Sequence, residues 1–129
     1  MKLEYFENGY RGQDLLLLYS GSEVEVENLR AAVRKLIASG TSLALHDLDF
    51  IESVDACKVT ASSIASGGGV RALVAPRTFA WELVPSDWER VEGLLEPFCQ
   101  SPPAGSRAKF QYLHEHGGTE VIYSTAREW

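Results

Sequence analysis

The sequence predicts an α+β domain in which two β-β-α-β-β units form an antiparallel sheet layer with two helices packed on one face. Three observations predict it. Residues 23–38 and 87–100 carry apolar side chains at helical spacing. The other apolar residues fall in short runs separated by Gly, Pro and Ser, the pattern of strands and turns. The two helical stretches also superpose at a constant offset of 62 residues: Val26 on Trp88, Leu29 on Val91, Ala32 on Leu94, Val33 on Leu95, Leu36 on Phe98 and Ile37 on Cys99.

Taken in order, Leu3, Tyr5 and Phe6 mark an edge strand, closed by turns at Asn8-Gly9 and Arg11-Gly12. The run Leu15–Tyr19 is apolar on both faces, as a central covered strand requires. Ser22 and Glu25 match the capping pattern S-x-x-E, and Gly40 supplies the positive φ that ends a helix. Thr41–Leu45 is the next strand, and His46-Asp47-Leu48-Asp49 a polar corner. A β-rich stretch follows near Val54–Ser63, and Gly67-Gly68-Gly69 is a break. Val70–Ala75 and Thr78–Leu83 are strands around Pro76-Arg77. Ser86 and Glu89 repeat the capping pattern before the second helix, which Pro97 kinks or ends near Glu96. After the loop Ser101–Gly105, Phe110–Leu113 and Glu120–Tyr123 form a hairpin around Gly117-Gly118. Beyond that loop the offset becomes 68, and Leu45-His46-Asp47 falls on Leu113-His114-Glu115. One domain spanning 1–129 is expected, with pseudo-repeat units at about 1–63 and 70–129.

The chain has 129 residues, 12 Lys+Arg against 18 Asp+Glu, and a net charge of −6. Nucleic-acid binding needs clustered cations, so none is expected. The longest apolar run, Leu15–Tyr19, is far short of the ~20 residues of a membrane helix, so no membrane partner is expected. The first residues hold no apolar leader segment, and the two cysteines, Cys57 and Cys99, form no disulfide framework. A cytoplasmic location follows as an expectation.

No catalytic group or cofactor is expected. The serines lack a G-x-S-x-G elbow, and the Gly triplet lacks the Lys-Ser/Thr of a phosphate loop. The histidines His46, His114 and His116 offer an alternative. Imidazoles beside Asp47, Asp49 and Glu115 would suit a divalent metal, a small ligand or an enzyme site at the paired corners.

Charge distribution points elsewhere. Residues 1–55 hold ten acids and five bases, whereas residues 56–129 hold eight and seven. Glu23, Glu25 and Glu27 suit the positive end of a helix dipole. Asp47, Asp49, Glu52 and Asp55 have no such local explanation, and no Lys or Arg lies between Lys35 and Lys58. These four are the expected contact residues for a basic protein partner. A homodimer through an exposed sheet edge is a further possibility.

The second half also resembles a known group. Phe79-Ala80-Trp81-Glu82-Leu83, Ser86-Asp87-Trp88, Leu94-Leu95-Glu96-Pro97-Phe98, Phe110-Gln111-Tyr112-Leu113 and Trp129 look like small single-domain bacterial proteins. Some of these serve as immunity proteins beside polymorphic toxins. The resemblance implies a cytoplasmic protein that binds and blocks a toxin domain, and it assigns no catalytic residue.

Overall fold

The computed structural model describes residues 1–9, 12–100, 109–116 and 118–129. The expected turn at Arg11, the loop at 101–105 and the Gly117 turn position lie outside these residues. Among the described residues are β1 (Lys2–Phe6), β2 (Leu15–Tyr19), α1 (Glu23–Ser39), β3 (Leu43–Ala44), β4 (Glu52–Ser53) and β5 (Lys58–Ser63). Then come β6 (Gly68–Ala72), β7 (Thr78–Leu83), α2 (Pro85–Leu95), β8 (Phe110–His114) and β9 (Glu120–Ser124). The protein is therefore α+β, with both helices where the apolar spacing places them.

The single antiparallel layer is replaced by two mixed sheets, ordered β4-β1-β2-β9-β8 and β3-β5-β7-β6. The local hairpins β1·β2, β6·β7 and β8·β9 are antiparallel. The central joints are parallel: β2 runs beside β9, and β5 beside β7. Parallel neighbours cannot be joined by a tight turn, so each of these joints links segments far apart in the chain. Residues 1–63 thus contribute a hairpin to each sheet, and residues 68–124 do the same. Exchanging the two halves turns β1-β2-β9-β8 into β6-β7-β5-β3, with every parallel and antiparallel joint preserved. Among the described residues, only β4, added outside β1, has no counterpart.

Alternation along the strands directs one face of each sheet into a shared core. Leu3, Leu16, Leu18, Val121 and Tyr123 enter it from one sheet, and Val59, Ala61, Phe79, Trp81 and Leu83 from the other. Val26, Leu29, Val33 and Leu36 of α1 complete it, as do Trp88, Val91 and Leu95 of α2 with Phe98 just beyond. These are four of the pairs related by the 62-residue offset. Trp88 stacks obliquely on Trp81 at 4.7 Å, and its indole N–H donates to the Ser62 carbonyl at 3.0 Å. Arg30 of α1 clamps the helices together through Glu92 at 2.7 Å.

Helix boundaries follow backbone chemistry. Ser22 accepts from the Glu25 N–H, as the capping pattern requires, but Glu25 turns instead to Ser20 and the Met1 ammonium, 2.6 Å away. The expected Ser86 cap does not form. Pro85 has a preset φ and no N–H to satisfy, so it opens α2 two residues earlier, behind Val84. Pro97 cannot donate to the preceding turn, and α2 passes into a 3₁₀ turn at Glu96–Cys99. Gly68 and Gly69 belong to β6, paired with β7, rather than to a break, and position 68 requires glycine because a Cβ there would lie 2.6 Å from the Glu82 carbonyl oxygen.

The opposite face of the first sheet buries Leu15, Leu17 and Ile122 against Phe6, Tyr19, Tyr112 and Trp129. The C-terminal residues fold across it. Arg127 makes two bonds to Glu4, at 2.9 and 2.8 Å, and lies over the Phe6 ring. The Arg127 bonds hold the Glu4 carboxyl below its ordinary 4.5 against the opposing effect of burial. A carboxylate whose folded pKa is depressed contributes stability that is complete above the unfolded value and lost as pH falls through the folded one. Glu4→Gln is therefore expected to flatten the fall in stability below about pH 4.5. Urea unfolding at stepped pH checks this; an unchanged acid limb contradicts it.

Candidate functional site

The connection from β3 to β5 carries all four predicted contact residues. Its path is fixed from beneath. Leu45 and Ile51 are buried in the core, and Leu48 and Phe50 pack against it. A 3₁₀ turn covers Leu45–Asp47, Leu48 donates back to the Leu45 carbonyl, and Ile51 to that of Leu48. β4 then runs parallel to β1, where the Glu52 N–H donates to the Met1 carbonyl at 2.8 Å. A second turn at Val54–Ala56 holds Asp55 and Ala56 at φ 52° and 58°. These are left-handed values that a non-glycine residue adopts only when its surroundings impose them.

With the apolar side chains inward, the acids point out. Asp47, Asp49, Glu52 and Asp55 are all exposed, the Asp47 and Glu52 side chains at 76% and 71%. Glu52 meets Lys2 at 3.3 Å, and Asp47 lies 3.8 Å from His46 Nε2. The result is an acidic ridge on a tethered segment, well suited to attract and orient a cationic surface.

The histidines do not come together as a set. His46 is built into the structure: its Nδ1 lies 3.1 Å from the Val59 amide nitrogen and 3.2 Å from the Val59 carbonyl oxygen. His114 and His116 lie together at the end of β8, with ring centroids 6.4 Å apart. His114 Nε2 is 2.7 Å from the His116 carbonyl oxygen. Among the described residues no group of three or more His, Cys, Asp and Glu is placed to hold a metal ion. Cys57 is fully buried, and burial pushes its thiol up to about 11, which removes it as a nucleophile.

Sequence reasoning missed one feature. His114 and His116 line a cleft of about 350 Å³ with Gly68, Asp87, Arg90 and Leu113. Asp87 and Arg90, three residues apart on α2, are both exposed to it. Their spacing on one helix face was legible; the approach of β6 and β8 to that face was not.

No family model matches the chain. Over 75 residues it is 36% identical to the "Probable aminopeptidase NPEPL1" of Mus musculus, and 35% identical to that of Homo sapiens. The shared stretch is 58% of this chain, and the chain spans about 14% of the length of these curated relatives. No solved structure matches.

These placements give the histidines different fates on mutation. Loss of the His46 ring leaves the buried Val59 backbone without its side-chain hydrogen-bond partner, so His46→Ala is expected to cost about 1–3 kcal/mol. His114→Ala is expected to stay within about 0.5 kcal/mol, as surface changes do. Denaturant unfolding of both variants checks this; equal losses contradict it.

Proposed function

We propose that the protein is a non-enzymatic protein-binding module whose acidic ridge contacts a basic protein partner. The observation that carries this reading is the split character of residues 45–56. Leu45, Leu48, Phe50 and Ile51 are committed to the core, while Asp47, Asp49, Glu52 and Asp55 are all exposed. A ridge fixed in this way loses little conformational freedom on binding, and its charge speeds encounter with a cationic surface.

Neutralising a toxin in the cytoplasm is the specific form of this reading. The resemblance of the second half to bacterial immunity proteins supports it. A basic toxin domain would supply the charge that the ridge lacks.

The test is affinity capture from the source cells with two baits, the wild type and the variant Asp47→Asn, Asp49→Asn, Glu52→Gln, Asp55→Asn. A basic protein retained by the wild type is expected to bind the variant at least about tenfold more weakly, with the difference shrinking in high salt. Equal retention contradicts the reading. Hydrolysis of aminoacyl p-nitroanilides by the purified protein with added zinc would favour the alternative, a small metal- or ligand-binding protein or enzyme using the His46, His114 and His116 corners.

A further inference from the structure

Among the described residues, the exchange that relates the two sheets leaves one corner filled and its counterpart open. In the filled corner β4 lies on the edge of β1, and the Met1 ammonium sits on Glu25 at 2.6 Å and on the Phe50 carbonyl at 2.9 Å. β6 holds the place of β1 in the other sheet: it pairs antiparallel with β7 and lies at the edge. No strand covers its outer side among the described residues.

The correspondence extends to atoms. Leu3 and Val70 both face inward, opposite Leu18 and Trp81. Aligning them puts Met1 on Gly68, while the 62-residue helix offset puts Glu25 on Asp87. Gly68 and Asp87 do line one cleft, as Met1 and Glu25 share one contact. The Leu73 N–H donates to the Thr78 carbonyl at 2.8 Å. In an antiparallel pair the bonds recur at every second residue, so Arg71 and Gly69 face β7. Gly68, Val70 and Ala72 then direct their backbone groups outward. The Gly68 carbonyl is thus the counterpart of the Met1 carbonyl that receives Glu52.

We propose that this open corner is a strand-addition site, where an extended, lysine-bearing segment of a protein partner pairs parallel to β6 and sets its lysine on Asp87. The mode is the one β4 uses on β1, and backbone pairing supplies affinity while neighbouring pockets select side chains. Charge complementarity selects the lysine, because Asp87 occupies the position at which Glu25 already holds an ammonium, and no described residue pairs with it. Leu83 and Leu113 line the cleft where an adjacent apolar side chain would enter. Arg90, also without a partner among the described residues, repels a second cation and confines the lysine to the Asp87 end. The proposal rests on the protein-binding reading above, but on residues outside the acidic ridge.

The probe is the capped hexapeptide Leu-Lys-Phe-Ile-Lys-Ser, which copies residues 48–53 with lysine in place of both acids. Titrated into the labelled full chain, it is expected to shift the amide resonances of Gly68–Ala72 and Asp87–Arg90, with a Kd below about 1 mM. Replacing its lysines by norleucine, or Asp87 by Asn, is expected to weaken binding about tenfold. Val70→Pro removes an outward N–H and is expected to abolish binding. Should that variant unfold, Asp87→Asn decides alone. The variant with Asp47, Asp49, Glu52 and Asp55 neutralised is expected to bind the peptide unchanged, which separates this site from the ridge. No saturable shift, shifts away from β6 and α2, or equal binding of the norleucine peptide would overturn the proposal. So would sedimentation showing a dimer that Val70→Pro dissolves, since the edge would then belong to a second copy of the chain.

Discussion

The parallel pairing of β2 with β9 and of β5 with β7 is the constraint on which the rest of the structure depends. Each joint lies at the centre of its sheet and ties one half of the chain to the other. Neither sheet exists within one half. Without β9, the face of β2 carrying Leu15 and Leu17 loses Ile122, and without β5 the β7 strand loses the neighbours of Phe79 and Trp81. Such non-local pairing requires long loops to close before any contact rewards them, so folding is expected to be concerted across the chain. The helices then seal a core to which both sheets contribute.

The same exchange of strands explains why the surface is uneven. One corner received an insertion between β3 and β5, and that insertion has two sides. Its apolar side chains plug the corner, and its backbone extends the sheet through β4. Its acids, left outside, form the ridge. The other corner has only the short connection from β8 to β9, and there Asp87, Arg90, His114 and His116 border open space. The ridge and the cleft are thus two outcomes of one difference in loop length. On the proposed reading, the ridge attracts a basic partner and the cleft takes an extended segment of it.

Much of this was legible in the residues, for identifiable reasons. Helical period and a fixed offset named the buried positions of α1 and α2, because a helix shows its buried face within a few turns of sequence. The hairpins were legible from turn residues and alternation. The sheet partners were not, since Leu15-Leu16-Leu17-Leu18 is equally apolar whether its second neighbour runs parallel or antiparallel. The start of α2 was misplaced because the Ser86 pattern competes with Pro85, and a proline at the first helical position settles the boundary. The bond between Glu4 and Arg127 spans 123 residues and carries no local signal. The exposure of Asp47, Asp49, Glu52 and Asp55 was legible from charge alone. His46 and His114, equal in sequence context, diverge because Val59 claims the first.

The two counterpart edges differ in whether a strand covers them, and amide hydrogen exchange on the native chain measures that asymmetry directly. The Glu52 N–H, bonded to Met1 across β4 and β1, is predicted to exchange at least about a hundredfold more slowly than a free amide. The Val70 N–H, on the uncovered edge of β6, is predicted to exchange at close to the free rate. A Val70 amide as slow as that of Glu52 would mean that the second corner is closed, and would contradict the account.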